Sequence, residues 1–365
     1  MRWLCCFCAV VAALIMFGGF VRLTRSGLSI VEWDPVTGVI PPIGEGGWAQ
    51  AFAEYRRSPE FLKVNSSMTL AEFQQIYLIE WLHRLVARMA GFAYAIPLFV
   101  FIARRRIPRC DLPVYLAMGS LFVVQAIAGW VMVASGLDDR PSVSHFNLTV
   151  HLLLAFLLLG LTLWAALEHR QGLTAPTHAP DEVPASGTRP PRWSTSSRVV
   201  AGLLAVLLVQ IAYGGFTAGL KAGHVSDTWP QMLGAYVPAG LLRSATDLVE
   251  SPATIVFVHR WFAFATAAAA VVAAVVVRRR TDPASRRTTT ALVVLIGAQI
   301  LLGIATVLSS VDTAIALAHQ ATAIALFSVT VLLMHRSRCL DGIDVTEQPT
   351  PGTGFPFRTH EVEEK

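Results

Sequence analysis

The sequence predicts an all-α integral membrane protein: eight transmembrane helices arranged as two tandem pseudo-symmetric four-helix bundles. Three observations carry that prediction. The 365-residue chain is 54% hydrophobic and 15% charged, with a mean hydropathy of +0.55, whereas a soluble domain carries about 25% charged residues. The apolar residues gather into runs of about 18 or more, the length that crosses ~30 Å of hydrocarbon. The order of features in the first half of the chain also recurs in the second.

The runs fall near residues 3–20, 84–103, 112–134, 148–167, 198–219, 253–277, 288–309 and 313–334. The first has the length of a secretory leader but no small-x-small cleavage site, and it continues into a Gly-Gly pair that recurs later; it is predicted to be a retained helix. Basic clusters mark one side of the membrane. Arg104, Arg105, Arg106 and Arg109 follow the second run, and Arg189, Arg192 and Arg198 precede the fifth. Arg278, Arg279, Arg280, Arg286 and Arg287 follow the sixth, and Arg336 and Arg338 follow the eighth. That side is cytoplasmic, with both termini on it. The outer loops are then about 21–80, 135–147, 220–252 and 310–312. Residues 171–197, rich in Pro, Thr, Ser and Ala, read as a flexible cytoplasmic linker. Residues 339–365 are polar and read as a disordered tail. The domains are thus 1–170 and 198–338.

A net charge of +5 raises the question of nucleic acid, but the basic residues sit between apolar runs, where they orient helices. No nucleic acid is expected as partner. Cys5, Cys6 and Cys8 share the first run while Cys110 and Cys339 stand apart. This spacing suits neither a zinc site nor a structural disulfide.

A comparison of the chain with itself defines the repeat. At an offset of 196, Gly18, Gly19, Phe20, Gly27, Trp33, Gly38 and Pro42 meet Gly214, Gly215, Phe216, Gly223, Trp229, Gly234 and Pro238. At 176, His83, Arg84 and Ala87 meet His259, Arg260 and Ala263. At 174, Gln125 and Gly129 meet Gln299 and Gly303, and at 168, His151 meets His319. The drop from 196 to 176 places about 20 extra residues in the first outer loop, roughly Ile43 to Ala71. Such an insertion suits a lid over one site only.

The ten histidines divide by position. His169, His178, His335 and His360 lie in cytoplasmic or tail segments, and His145 and His224 in outer loops; these read as polar surface. His83, His151, His259 and His319 sit at or just inside the outer ends of the even-numbered spans, where an ionisable group is costly and usually functional. Two inward-facing imidazoles on adjacent even helices can take both axial positions of a heme iron. The pairs His83/His151 and His259/His319 therefore predict two heme sites, in preference to zinc, copper or a proton pathway. Glu80 stands one turn before His83, whereas the matching residue before His259 is Val256. One site thus has a carboxylate and the other has none. A di-iron carboxylate site would need a second Glu-x-x-His and further glutamates inside the bundle, which are missing. Arg22, Arg25, Arg84 and Arg260 lie on the outer side and suit either anionic propionates or lipid headgroups.

These residues resemble the heme A synthase family in its proteobacterial and mitochondrial form. The likeness rests on GGFVRLTRSGLSIVEWDPVTGVIPP from Gly18, EWLHRLVARMAG from Glu80 and GWVMVASGL from Gly129. In the second half it rests on DTWPQMLG, on VHR at His259 and on AHQATA at His319. It covers about residues 3 to 335. The resemblance implies that His259 and His319 are the axial ligands of a heme b cofactor. His83 and His151 would receive heme O as substrate, and Glu80 would take part in oxidising its C8 methyl group. The expected chemistry is two successive hydroxylations, the gem-diol losing water to leave the formyl group of heme A, which serves a-type cytochrome oxidases. The implied partners are heme O, membrane lipid, the upstream heme O synthase and a second copy of the chain. The implied location is the bacterial inner membrane, with the heme sites near its outer face. Unlike some family members, this chain has no cysteine pair in its first outer loop, so no thiol step is expected there. Lys221, His224 and His145 also depart from the family pattern. Two readings from other classes compete: a di-heme electron carrier of the cytochrome b kind, and a repeat transporter with histidine proton relays.

Overall fold

Polar caps set where several helices begin. The Ser194 hydroxyl accepts from the Ser197 amide at the head of α7 (Thr195–Gly219), and the Ser251 hydroxyl does so from Thr254, ahead of Pro252, at the head of α9 (Pro252–Arg278). Thr69 and Glu72 form a reciprocal capping box that starts α4 (Leu70–Ala103). The other long helices are α1 (Arg2–Leu23), α5 (Leu112–Ala134), α6 (His145–Arg170), α10 (Pro283–Leu308) and α11 (Thr313–Thr346). Three short ones, α2 (Gly44–Tyr55), α3 (Pro59–Lys63) and α8 (Asp247–Glu250), lie between them. This computed structural model describes residues 2–32, 34, 37–137, 141–170, 193–279 and 283–346. Most of the predicted linker and the tail beyond Thr346 lie outside the described residues.

Among the described residues eight helices are long and apolar enough to cross a bilayer, and each coincides with one of the eight predicted runs to within a residue or contains it. Their outward faces carry large apolar side chains, with Phe99 72%, Leu301 68% and Val294 63% exposed. A lipid solvent accepts such a surface and water would not. The chain is a multi-pass membrane protein.

The same pattern of neighbours occurs in each half. In the first, α1 packs on α4 and α6, and α5 packs on α6 and α4; in the second, α7 packs on α9 and α11, and α10 on α11 and α9. The halves join through α6 against α7, α1 against α11, and α6 against α11. Phe156 meets Phe327 edge-on at 5.0 Å across the central pair. Two glycines let the outer ends of these helices approach. A Cβ on Gly215 of α7 would lie 2.7 Å from the Thr149 hydroxyl of α6. On the other seam, Gly19 of α1 lies against the amide of Gln320, whose Nε2 donates to the Ile15 carbonyl at 2.6 Å.

The extra residues of the first outer loop form α2 and α3. Trp48, Phe52, Tyr55 and Phe61 pack there on Phe73, Ile76 and Tyr77 of α4 around a small separate core. α4 has 34 residues, about 50 Å at 1.5 Å per residue, against ~30 Å of hydrocarbon. Its first turns therefore stand outside the span and carry this cap.

Three histidines differ from their sequence reading as polar surface. α11 continues beyond the predicted end of its span, so His335 is fully buried. It packs edge-on against Trp164 and lies 3.3 Å from the Glu168 carboxylate of α6. His169 is hydrogen-bonded to the Tyr115 hydroxyl. His145 opens α6, and its Nε2 donates to the Val249 carbonyl at 2.8 Å. His224, in a short 3-10 turn, is exposed as expected. His178 and His360 lie outside the described residues.

Candidate paired-histidine sites

Each of the four singled-out histidines sits on the second helix of a neighbouring pair: His83 on α4, His151 on α6, His259 on α9 and His319 on α11. Each faces a glycine on the helix before it. An added Cβ would lie 3.6 Å from Cε1 of His83 at Gly18, and 2.9 Å from His151 at Gly129. The matching distances are 3.3 Å for Gly214 with His259 and 3.1 Å for Gly303 with His319. Any side chain at three of these positions would crowd an imidazole. These glycines are notches for rings.

In the second half, the His259 and His319 rings have centroids 6.5 Å apart at 81°. With a metal about 2 Å from each coordinating nitrogen and each centroid about 1 Å further back, axial imidazoles come to about 6 Å apart. The observed pair fits. His83 and His151 of the first half lie within electrostatic reach of each other. Among the described residues no three His, Cys, Asp or Glu side chains converge on a common point. Two imidazoles alone suit a bare zinc ion poorly, whereas a porphyrin brings its own four nitrogens and needs only axial partners. The donor set therefore fits heme.

Glutamines brace three of the rings, and the sequence reading assigned them no role. Gln125 Nε2 donates to the His151 carbonyl at 3.0 Å and lies 3.3 Å from its ring nitrogen. Gln210 Nε2 does the same at His259, at 3.0 and 3.2 Å. Gln299 Nε2 lies 3.3 and 3.1 Å from the two ring nitrogens of His319. Every brace precedes its notch by four residues, on the same helix face: QAIAG from 125, QIAYG from 210 and QILLG from 299. The fourth helix reads LIMFG from Leu14. Comparing halves shows Gln125 against Gln299 but pairs Gln210 with Leu14, so only a comparison of all four quarters shows the pattern.

Glu80 is buried at 2% exposure. Its Oε2 accepts from the Ser29 amide at 2.8 Å, the Ser29 hydroxyl at 2.7 Å and the Ile30 amide at 3.0 Å, while Arg84 donates to Oε1 at 2.6 Å. The side chain therefore fastens the first outer loop to α4. Arg84 also reaches the carbonyls of Ile30 and Glu32, through Nη2 and Nη1. Arg260 reaches those of Ser226 and Thr228 through the same two nitrogens. Residues 226 and 228 are the repeat counterparts of 30 and 32, so both arginines clasp the same point of their loops.

Of the other two arginines named from sequence, Arg22 donates to the carbonyl of Ala218, its own repeat counterpart, across the seam. Arg25 is exposed in a left-handed conformation with φ 56, and its counterpart Lys221 has φ 55. Beneath them the cap holds Glu60, which accepts from the Tyr55 hydroxyl at 3.3 Å. Burial, with the Glu80 charge adding to it, pushes the Glu60 carboxyl up to about 7, against the opposing effects of the Tyr55 hydrogen bond, Lys221 and Arg25.

The fold and site define a multi-pass membrane protein with imidazoles opposed inside a helical bundle. The family model described as cytochrome oxidase assembly protein matches residues 1–331, and the chain belongs to that family. Among its relatives is the heme A synthase of Sphingopyxis alaskensis, 39% identical over 92% of this chain and 91% of that protein. The heme A synthase of Cereibacter sphaeroides is 40% identical over 91% of this chain and 85% of its own length. That of Chelativorans is 41% identical over 88% and 86%. The resemblance read from the motifs is thereby borne out.

Proposed function

We propose that this chain is a heme A synthase, oxidising the C8 methyl group of heme O to a formyl group by two successive hydroxylations and yielding heme A for a-type cytochrome oxidases. One observation supports this reading above the others: both halves present imidazoles set in glycine notches, but a carboxylate stands one turn from the histidine only at His83, with Val256 at the matching place. In this reading His259 and His319 hold heme b, and His83 and His151 receive heme O. A bound heme supplies redox-active iron. The protein supplies orientation and charge. Glu80 is held by four donors, so its negative charge is fixed without reorganisation and stabilises positive charge developing at the methyl carbon. Because those donors occupy the carboxylate, we assign it this electrostatic role ahead of proton acceptance.

Arg84 and Arg260 are engaged with loop carbonyls, which leaves Arg25 and Lys221, one in each half, as the cations for heme propionates, with Arg22 beside them. The cap of α2 and α3 covers the first-half site alone. The basic clusters support cytoplasmic termini in a bacterial inner membrane, with both sites towards the outer face. Heme O arrives from the heme O synthase, and we include a homo-oligomer in this reading.

Glu80→Gln tests the assignment by extraction of bound porphyrins, chromatography and mass analysis. The variant is expected to retain protoheme and to accumulate heme O or the alcohol, with heme A lost. Heme A at wild-type yield in the variant removes Glu80 from the chemistry. Protoheme alone in the wild type favours a di-heme electron carrier.

A further inference from the structure

The two sites have opposite tasks under the function proposed above, on which this inference rests. One retains its porphyrin through many turnovers, and the other must admit a substrate and release a product. The bracing of the four histidines differs in the same sense. His151, His259 and His319 each have a glutamine from the preceding helix within hydrogen-bond distance of the ring, and two of these amides also donate to the histidine's own carbonyl. In the helix before His83 the bracing position holds Leu14. Nδ1 of His83 is buried without a hydrogen-bond partner, as is Nδ1 of His151, but the His151 ring has Gln125 at its other nitrogen, whereas the His83 ring has the edge of Phe17 at 5.4 Å between centroids. Its glycine notch is also the loosest, 3.6 Å at Gly18 against 2.9 to 3.3 Å at the other three.

A coordinating imidazole is oriented by an acceptor for its other ring N–H, and removing one costs about 10–100-fold in affinity. Oε1 of Gln125, Gln210 and Gln299, each buried without a partner, is that acceptor once the amide turns over. We propose that Gln125, Gln210 and Gln299 are positioning residues that lock three imidazoles against their irons, and that Leu14 leaves His83 as the exchangeable ligand through which the first-half site opens to admit heme O and release heme A. The second-half site is braced on both faces, by Gln210 and Gln299. The first-half site is braced on one, by Gln125. His151 then keeps its place while His83 turns aside.

The test uses the full-length chain in detergent, loaded with heme O and carrying its own protoheme. Porphyrin loss to excess apomyoglobin is followed by chromatography, which separates farnesylated porphyrin from protoheme so that each site reads independently. In the wild type the farnesylated porphyrin is expected to leave at least about tenfold faster than protoheme. Leu14→Gln is expected to slow its loss about tenfold and leave protoheme loss unchanged. Gln210→Leu is expected to speed protoheme loss about tenfold and to broaden the low-spin electron paramagnetic resonance signal, as an unlocked ring samples several orientations. The conservative Gln210→Asn, too short to reach, should behave as the leucine variant does. Wild-type exchange rates in both Leu14→Gln and Gln210→Leu, on protein that still binds both porphyrins, overturn the inference alone. A wild type that binds neither porphyrin overturns the functional reading and this inference with it.

Discussion

Alanine at position 129 would place a methyl carbon 2.9 Å from Cε1 of His151, closer than carbon atoms pack, while alanine at position 18 would place one at 3.6 Å from His83, an ordinary contact. Both notches belong to the first-half site, so the pair of variants is internally controlled. In Gly129→Ala the imidazole must retreat by a few tenths of an ångström against a close-packed bundle. Overpacking of that size costs about 1–3 kcal/mol, which at 1.4 kcal/mol per decade is about a 5–150-fold loss in heme O retention. Helix stability does not confound the result, because replacing glycine by alanine within a helix favours the helix by about 0.5–1 kcal/mol. The assay is heme O bound per chain after gel filtration, with protoheme in the second half as the loading standard. Gly129→Ala should lose most of its heme O and Gly18→Ala little. In the other site, Gly303→Ala at 3.1 Å should be the more damaging and Gly214→Ala at 3.3 Å the milder. Equal retention in Gly18→Ala and Gly129→Ala, whether both high or both low, would refute the notch argument.

Three further predictions concern the supports of the site. Burial raises the Glu60 carboxyl from the ordinary glutamate value of 4.5 to about 7. A raised value means that the folded cap favours the protonated acid, so its contribution is fully present below about 4.5 and is lost as pH rises through about 7. Hydrogen exchange over residues 44–68 should therefore quicken between pH 5 and 8 beyond the intrinsic rate, and Glu60→Gln should flatten that response. Arg260→Lys keeps the charge but cannot hold both Ser226 and Thr228 carbonyls, so limited proteolysis of the loop after α7 should rise several-fold; an unchanged digestion rate counts against the clasp. Gly219→Ala would set a methyl 2.7 Å from the Cα of His145, and backbone cannot yield as a side chain does. Its thermal midpoint should fall by several degrees, as expected for about 1–3 kcal/mol of overpacking in a protein of this size.

The spans were legible because lipid demands long apolar runs, and all eight were read within a few residues wherever the helix ends at the membrane surface. The outer start of α4 was not. Gln74, Gln75 and Glu80 interrupt the apolar run there, because those turns stand in water and under the cap. The four histidines were legible as a recurring costly residue, and Glu80 as an asymmetry against Val256. Contacts to main-chain atoms were not legible. Arg84 and Arg260 suited propionates by charge, yet their guanidinium groups address loop carbonyls, which every residue possesses and no motif marks. His335 looked peripheral because its span seemed to end before it. Gln210 escaped notice because an offset of 196 sets it against a leucine, and a mismatch in a repeat draws no attention until geometry shows what the leucine has replaced.

Adjacent glycines on α1 and α7 serve different neighbours. Gly18 and Gly214 receive an imidazole of their own half, whereas Gly19 and Gly215 receive a helix of the other half. Successive residues are about 100° apart around a helix, so one step of rotation would present the imidazole hollow to the seam and the seam hollow to the imidazole. Correct docking of the halves and correct shaping of the pigment pockets are thus one event, read from a single dipeptide. A half transplanted into another scaffold would leave a hollow facing lipid, which makes the whole eight-span chain the smallest portable unit.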